Sequence, residues 1–129
     1  MKVAIYANNS LTMNCDEQLR LCKEYINSYY NENYIDKVFI YEEKSTSTNN
    51  NFVFSKLMAD AASKNFDILI CYNLKSFFKN LKNFQNTYTL LDHYGIDLIS
   101  VSEKLNTNTN PYEKPLISLI LNAFLNLEG

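Results

Sequence analysis

Ser10 follows an apolar run, Val3 to Ala7, across two asparagines, Asn8 and Asn9, and precedes a segment containing Asp16, Glu17, Gln18, Leu19, Arg20 and Leu21. A hydroxyl at the carboxyl end of a strand, just before a helix, lies where open α/β sheets bind ligands and place reacting groups. Lys75, Lys79 and Lys82 form a second group with chemical capacity, just beyond the apolar run Phe66 to Tyr72. Three ammonium groups there suit contact with phosphate as point charges, or simply a solvated basic face. Arg20 is the sole arginine of the chain. Chemistry on phosphates would therefore proceed almost without the planar guanidinium fork that grips two oxygens at once.

The remaining reactive side chains point to structure. Cys15, Cys22 and Cys71 have no metal-ligand spacing and are odd in number. They read as reduced thiols of a cytoplasmic protein, with Cys22 and Cys71 on apolar faces. His93, the single histidine, lies near a helix end before Gly95 and reads as a surface residue favoured by the helix dipole. No metal site and no cofactor are expected. The net charge of −2 is unlike that of a free-standing nucleic-acid-binding domain, which is normally basic. At 129 residues with 47% hydrophobic residues, the chain suffices for one domain with its own core. No secretory leader and no apolar run of about 18 residues is present, so no membrane association is expected.

The elements that must carry these groups follow from periodicity. Val3 to Ala7 reads as a first strand. Asn14, with Glu17 three residues on, resembles a capping box. The next helix places Cys15, Leu19, Cys22, Ile26 and Tyr29 on one face. Val38 to Tyr41 reads as a second strand, and Glu42 to Asn51 as a polar loop. Phe54, Leu57, Met58 and Ala61 mark a second helix with Asn65 as its left-handed terminator. Phe66 to Tyr72, nearly all apolar, reads as a central parallel strand covered on both faces. A loop from Asn73 to Asn80, a helix through Leu81, Phe84, Tyr88 and Leu91 ended by Gly95, a strand from Ile96 to Val101 and a polar loop from Asn106 to Asn110 follow. Strands alternating with helices specify an α/β fold, with a mainly parallel sheet flanked by helices.

Leu116 to Leu127 is apolar nearly all round, with Lys114, Ser118, Asn122 and Asn126 forming one narrow polar stripe. A helix of that kind is buried on more than one side. Its second side is expected to be a partner subunit, through Leu116, Ile120, Phe124 and Leu127. Burial within the monomer core is the other reading.

With the elements placed, the chain resembles the catalytic domain of the serine site-specific recombinases, the resolvase/invertase family, and especially its large, integrase-like members. Tyr6-Ala7-Asn8-Asn9-Ser10 parallels the family's Tyr-x-Arg-x-Ser, with Ser10 at the nucleophile. Glu17-Gln18-Leu19 parallels the family's Gln at the start of the first helix, which implies a catalytic place for Gln18. Tyr41 to Lys44, with the Ser/Thr loop and Phe54 to Asp60, parallels the region after the second strand. Asn73 to Asn80 parallels a pattern of the type x-Leu-Asp-Arg-x-Ser-Arg-Asn. Phe124 to Glu128 resembles the start of the long helix that builds the family's dimer. The resemblance implies a three-layer sandwich with four to five strands. It also implies DNA strand transfer through a phosphoseryl bond without metal, nucleotide or small-molecule substrate, and a homodimer or tetramer. Residues 1–129 are then one catalytic domain, with any DNA-binding domain expected beyond residue 129.

The departures fall on the charges. Asn8 stands where the family has arginine before the nucleophile. Lys75-Ser76 replaces an Asp-Arg pair, Lys79 replaces the next arginine, and Asn51-Phe52 replaces an Arg-Pro. The expectation is a family member with an impaired site, retained for association with DNA or a recombinase partner. Weak DNA contact would fall to Lys75, Lys79 and Lys82. The alternatives are an active recombinase that uses lysines, and an unrelated flavodoxin- or receiver-like binding domain. Against the latter, no acidic cluster or Gly-rich phosphate loop follows the strands. Phe77-Phe78 marks either a new contact surface or a filled-in site.

Overall fold

The computed structural model describes residues 1–9, 13–43, 52–74, 81–117, 119–120 and 123. Five strands form one sheet: β1 (Lys2–Asn8), β2 (Lys37–Glu43), β3 (Ile68–Cys71), β4 (Asp97–Ser100) and β5 (Leu105–Asn106), in the order β2-β1-β3-β4-β5. The first four are parallel, and β5 returns antiparallel along β4. Helices α1 (Cys15–Tyr29), α2 (Phe52–Ala62) and α3 (Leu81–His93) lie between the parallel strands in sequence. Short 3-10 turns cover Glu32–Tyr34 and Pro111–Glu113, and a final helix begins at Lys114.

Alternation along β1 explains the layers. Val3, Ile5 and Ala7 face α1 and join Cys15, Leu19, Cys22, Ile26, Ile68 and Ile70 in one core. Ala4 and Tyr6 face the other way, with Leu57, Ala61, Leu69, Leu91 and Ile117. Successive strand residues point to opposite faces, so a strand apolar at every position must be covered twice. The result is the three-layer α/β sandwich that the resemblance implied, with a five-stranded sheet.

Several local expectations hold and several shift. The Asn14 side chain accepts from the Glu17 main-chain N–H at 2.9 Å, so this residue caps α1. Tyr29, expected on the buried face, is 54% exposed and stacks on Tyr25 at 5.2 Å, beyond the apolar contacts that bury the preceding turns. β2 extends through Glu42 and Glu43, which the polar-loop reading excluded, because β1 pairs with it along all seven residues. Lys64, not Asn65, takes the left-handed conformation after α2, with φ 54°. The Asn65 and Lys64 N–H groups close back on the Asp60 and Ala61 carbonyls. This is the Schellman pattern, with Asn65 one place later than expected. Gly95 (φ 76°) ends α3 in the same way, through Ile96 N–H to Leu91 and Gly95 N–H to Asp92. β5 occupies Leu105 and Asn106, where a loop was expected from Asn106 onward.

Candidate active site

The chain order reverses at β1. It goes outward to β2 on one side and returns through β3 on the other. In open α/β sheets the crevice at such a switch point, beyond the carboxyl ends of the strands, is the favoured site for ligands. Tyr6 pairs with Cys71 across β1 and β3, and Asn8 pairs with Glu43 across β1 and β2. The segments carrying Ser10, the residues after Glu43, and Lys75 to Lys79 therefore all leave from one edge. Ser10 itself, Lys75, Ser76, Phe77, Phe78 and Lys79 lie outside the described residues, as do the Lys82 side chain and residues 44–51.

The supports of the Ser10 segment are described on both flanks. Asn8 is buried, and its main chain is held by Gln18. The Asn8 N–H donates to Gln18 Oε1 at 3.2 Å, and Gln18 Nε2 donates to the Asn8 carbonyl at 2.6 Å. The same Nε2 also donates to the Met13 carbonyl at 3.1 Å. Asn9 donates its N–H to the Glu43 carbonyl at 3.2 Å and accepts at Oδ1 from the Cys15 N–H at 2.9 Å. Residues 10–12 are thus bracketed by Asn9 and Met13, each tied to α1 or β2. Gln18 is 1% exposed. Its amide is engaged with the main chain of Asn8 and Met13, which it ties together.

Glu43 brings a buried carboxylate to the same edge. The Tyr6 hydroxyl donates to it at 3.5 Å, and the Cys15 thiol reaches the Glu43 carbonyl at 3.6 Å. Burial, and then the negative charge of Glu43, push the Tyr6 phenol well above its ordinary range. Tyr6 therefore stays neutral and donates. The polar-loop reading passed over Glu43. Its signal was an acidic residue directly continuing an apolar strand.

The loop after β3 is anchored in a comparable way. The Leu74 N–H donates to Glu103 Oε1 at 2.8 Å, and the Ser100 hydroxyl donates to that same oxygen. Val101 and Ser102 donate N–H groups to the Cys71 and Tyr72 carbonyls. Glu103, not singled out from the sequence, fixes where the segment with Lys75, Ser76 and Lys79 departs.

Arg20 lies elsewhere. It sits on the exposed face of α1, paired with Glu17 and, at 2.6 Å, with Glu24. Among the described residues no group of three or more His, Cys, Asp or Glu is placed to hold a metal, and no helix is long and apolar enough to cross a membrane. All three cysteines are buried free thiols. In the final helix Ile117 is fully buried and Ile120 packs against the core, whereas Leu116 and Leu119 are 48% and 64% exposed. Phe124 and Leu127 lie outside the described residues.

Comparison with known proteins agrees with this architecture. Residues 3–128 match the family described as Resolvase, N terminal domain. The chain belongs to that resolvase family. No curated protein sequence matches it. Among solved structures, this resolvase domain is similar to the N-terminal catalytic domain of TP901-1 integrase. The TM-score is 0.70 at 24% identity, over 99% of this chain and 96% of that one. It is also similar to a resolvase family site-specific recombinase from Streptococcus pneumoniae, with a TM-score of 0.75 at 22% identity over 99% and 87% of the two chains. The C-terminal catalytic domain of ISC1926 TnpA, an IS607-like serine recombinase, gives a TM-score of 0.59 at 17% identity over 93% and 80%. The resolvase-like fold and the family resemblance drawn from the Tyr6–Ser10 and Asn73–Asn80 segments are borne out together.

Proposed function

We propose that this resolvase-family domain is a serine recombinase catalytic domain whose strand-transfer chemistry is impaired, retained for association with DNA or with a recombinase partner. One observation carries the reading: the chain's only guanidinium is spent on Glu17 and Glu24 on the outer face of α1, while Asn8 holds the family's arginine position beside Ser10. Attack of a serine oxygen on a phosphodiester forms one phosphorus–oxygen bond as the bond to a deoxyribose oxygen of the same strand breaks; the serine hydroxyl gives up its proton and the departing oxygen takes one up. Negative charge on the equatorial oxygens must be balanced while this happens. One arginine in such a role is worth roughly 10³ to 10⁵ in rate. A neutral amide at Asn8 and a hydroxyl at Ser76 donate hydrogen bonds without supplying charge.

The described flanks of the site are held by hydrogen bonds to the main chain. The Gln18 clamp, the Asn9 ties to β2 and α1, and the Glu103 anchor fix the described residues that flank both segments, Asn8, Asn9 and Leu74. That pattern supports loss at the charges rather than loss of the frame. Lys75, Lys79 and Lys82 suit weak ground-state contact with DNA phosphate. The final helix, through the exposed Leu116 and Leu119, suits self-association as a dimer or tetramer. Residues 1–129 make up the catalytic unit in this reading, and the cytoplasm is its place.

The test is a nicked suicide DNA substrate offered to the full-length protein. The expected outcome is weak, salt-sensitive binding and no covalent protein–DNA adduct. An adduct that disappears in Ser10→Ala overturns impairment and establishes that lysines suffice. Restoring Asn8→Arg, Lys75→Asp, Ser76→Arg and Lys79→Arg together is expected to return adduct formation, since only the charges are missing.

A further inference from the structure

Asn106 is the last residue of β5 and is buried, at 4% exposure. Its side chain fills both the donor and the acceptor positions of its amide. Nδ2 donates to the Tyr25 hydroxyl at 3.1 Å and to the Tyr30 hydroxyl at 3.2 Å. Oδ1 accepts from the Asn108 N–H at 2.9 Å and the Thr109 N–H at 3.1 Å. The main chain is engaged too. The Asn106 N–H donates to Glu113 Oε2, and its carbonyl accepts from the Asn110 N–H at 3.0 Å. Tyr25 lies in the second half of α1 and Tyr30 directly follows that helix. Glu113 ends the 3-10 turn from which the final helix starts at Lys114. One buried amide thus joins the end of the sheet, the carboxyl end of α1 and the entry turn of the final helix.

We propose that Asn106 is the positioning residue that aims the final helix, on the reading of that helix as the self-association surface. It acts through Glu113, holding the entry turn to the carboxyl end of α1. Its neighbours secure the same junction. The Tyr30 hydroxyl donates to Asn108 Oδ1 at 3.2 Å, and the Asn108 amide donates to Asp97 at 3.0 Å. On the α3 side the helix entry meets the Lys114–Asp92 ion pair at 2.9 Å, whose side chains are 42% and 51% exposed. An exposed pair of that kind fixes little, whereas a buried, fully paired network rigidifies what it joins. The aim matters because Ile117 is fully buried while Leu116 and Leu119 are exposed. Successive helix residues are turned by about 100°. A modest rotation at the entry turn would therefore exchange the buried face for the association face.

Spin labels at Asn27→Cys on α1 and Ala123→Cys on the final helix, both exposed positions, read the helix direction in the intact chain. The native thiols are buried, and mixing with unlabelled protein confines the signal to distances within one copy. The unaltered junction is expected to give one narrow distance distribution. Asn106→Ala and Glu113→Ala are each expected to broaden it severalfold and to weaken self-association in sedimentation. Glu113→Gln keeps an acceptor for the Asn106 N–H and is expected to stay narrow, as is Lys114→Ala. Where circular dichroism shows that Asn106→Ala does not fold, the two Glu113 variants decide. A broad distribution in the unaltered junction, a narrow one in Glu113→Ala, or equal broadening in Glu113→Gln or Lys114→Ala overturns the proposal. Broadening in Glu113→Ala alone, in a chain that sediments as a monomer throughout, upholds the aiming role and counts instead against the association reading.

Discussion

Gln18 and Asn8 exchange two hydrogen bonds across the mouth of the candidate site: the amide oxygen takes the Asn8 N–H at 3.2 Å, and the amide nitrogen gives to the Asn8 carbonyl at 2.6 Å. The side chain acts as a peptide mimic, continuing the ladder at the point where β1 leaves the sheet. With its third bond, to the Met13 carbonyl, it ties together the two described flanks of the Ser10 segment.

Gln18→Leu leaves a buried N–H and two carbonyls without this partner. A buried group so orphaned costs about 1–3 kcal/mol, and chemical denaturation at neutral pH is expected to register a loss of that order. Gln18→Glu is expected to lose more at pH 7 than at pH 4. A carboxylate meets two carbonyl oxygens and cannot donate to them, whereas its protonated form can. Equal losses at both pH values would show that the amide nitrogen bonds contribute little.

Stability is expected to fall as pH rises above about 9. Burial pushes the Cys22 thiol up to about 12 from its ordinary 9.0 and raises Cys71 well above that ordinary value. Between those limits the unfolded chain releases the proton and the folded chain keeps it. Stability present below the unfolded value is therefore lost progressively toward the folded one. Cys22→Ala removes one such group. Its denaturation midpoint at pH 8 is expected to drop through the lost packing, while its further decline from pH 8 to 10 is expected to be shallower than that of the unaltered protein, by on the order of 1 kcal/mol. Parallel declines would refute burial of a protonated Cys22 thiol.

Within the final helix, neighbours in sequence are expected to behave oppositely. Leu116→Lys with Leu119→Lys places charge on exposed positions. It is expected to leave the melting temperature nearly unchanged while abolishing any helix-mediated dimer in sedimentation velocity. Ile117→Lys buries an unpaired ammonium at a fully enclosed position and is expected to unfold the domain or cost several kcal/mol. A dimer that persists in the first variant locates self-association away from this helix.

The apolar register of the chain was legible before any coordinates. Alternation and 3.6-residue spacing placed Cys15, Leu19, Cys22 and Ile26 on one buried stripe, and Asn14 and Gly95 announced a helix start and a helix stop. These signals are local, because each depends on residues within one or two turns of one another. Together with the Tyr6–Ser10 and Asn73–Asn80 segments they pointed to the fold class and the family. Only the tertiary structure decided what the polar side chains do. Gln18 finds Asn8 ten residues back, Glu43 receives Tyr6 from a neighbouring strand, and Glu103 reaches Leu74 across the sheet edge. It likewise set the full length of β2 and left Tyr29 outside. A hydrogen bond or a strand edge belongs to whichever distant group the chain's path brings alongside, and that path is a property of the whole packed sheet.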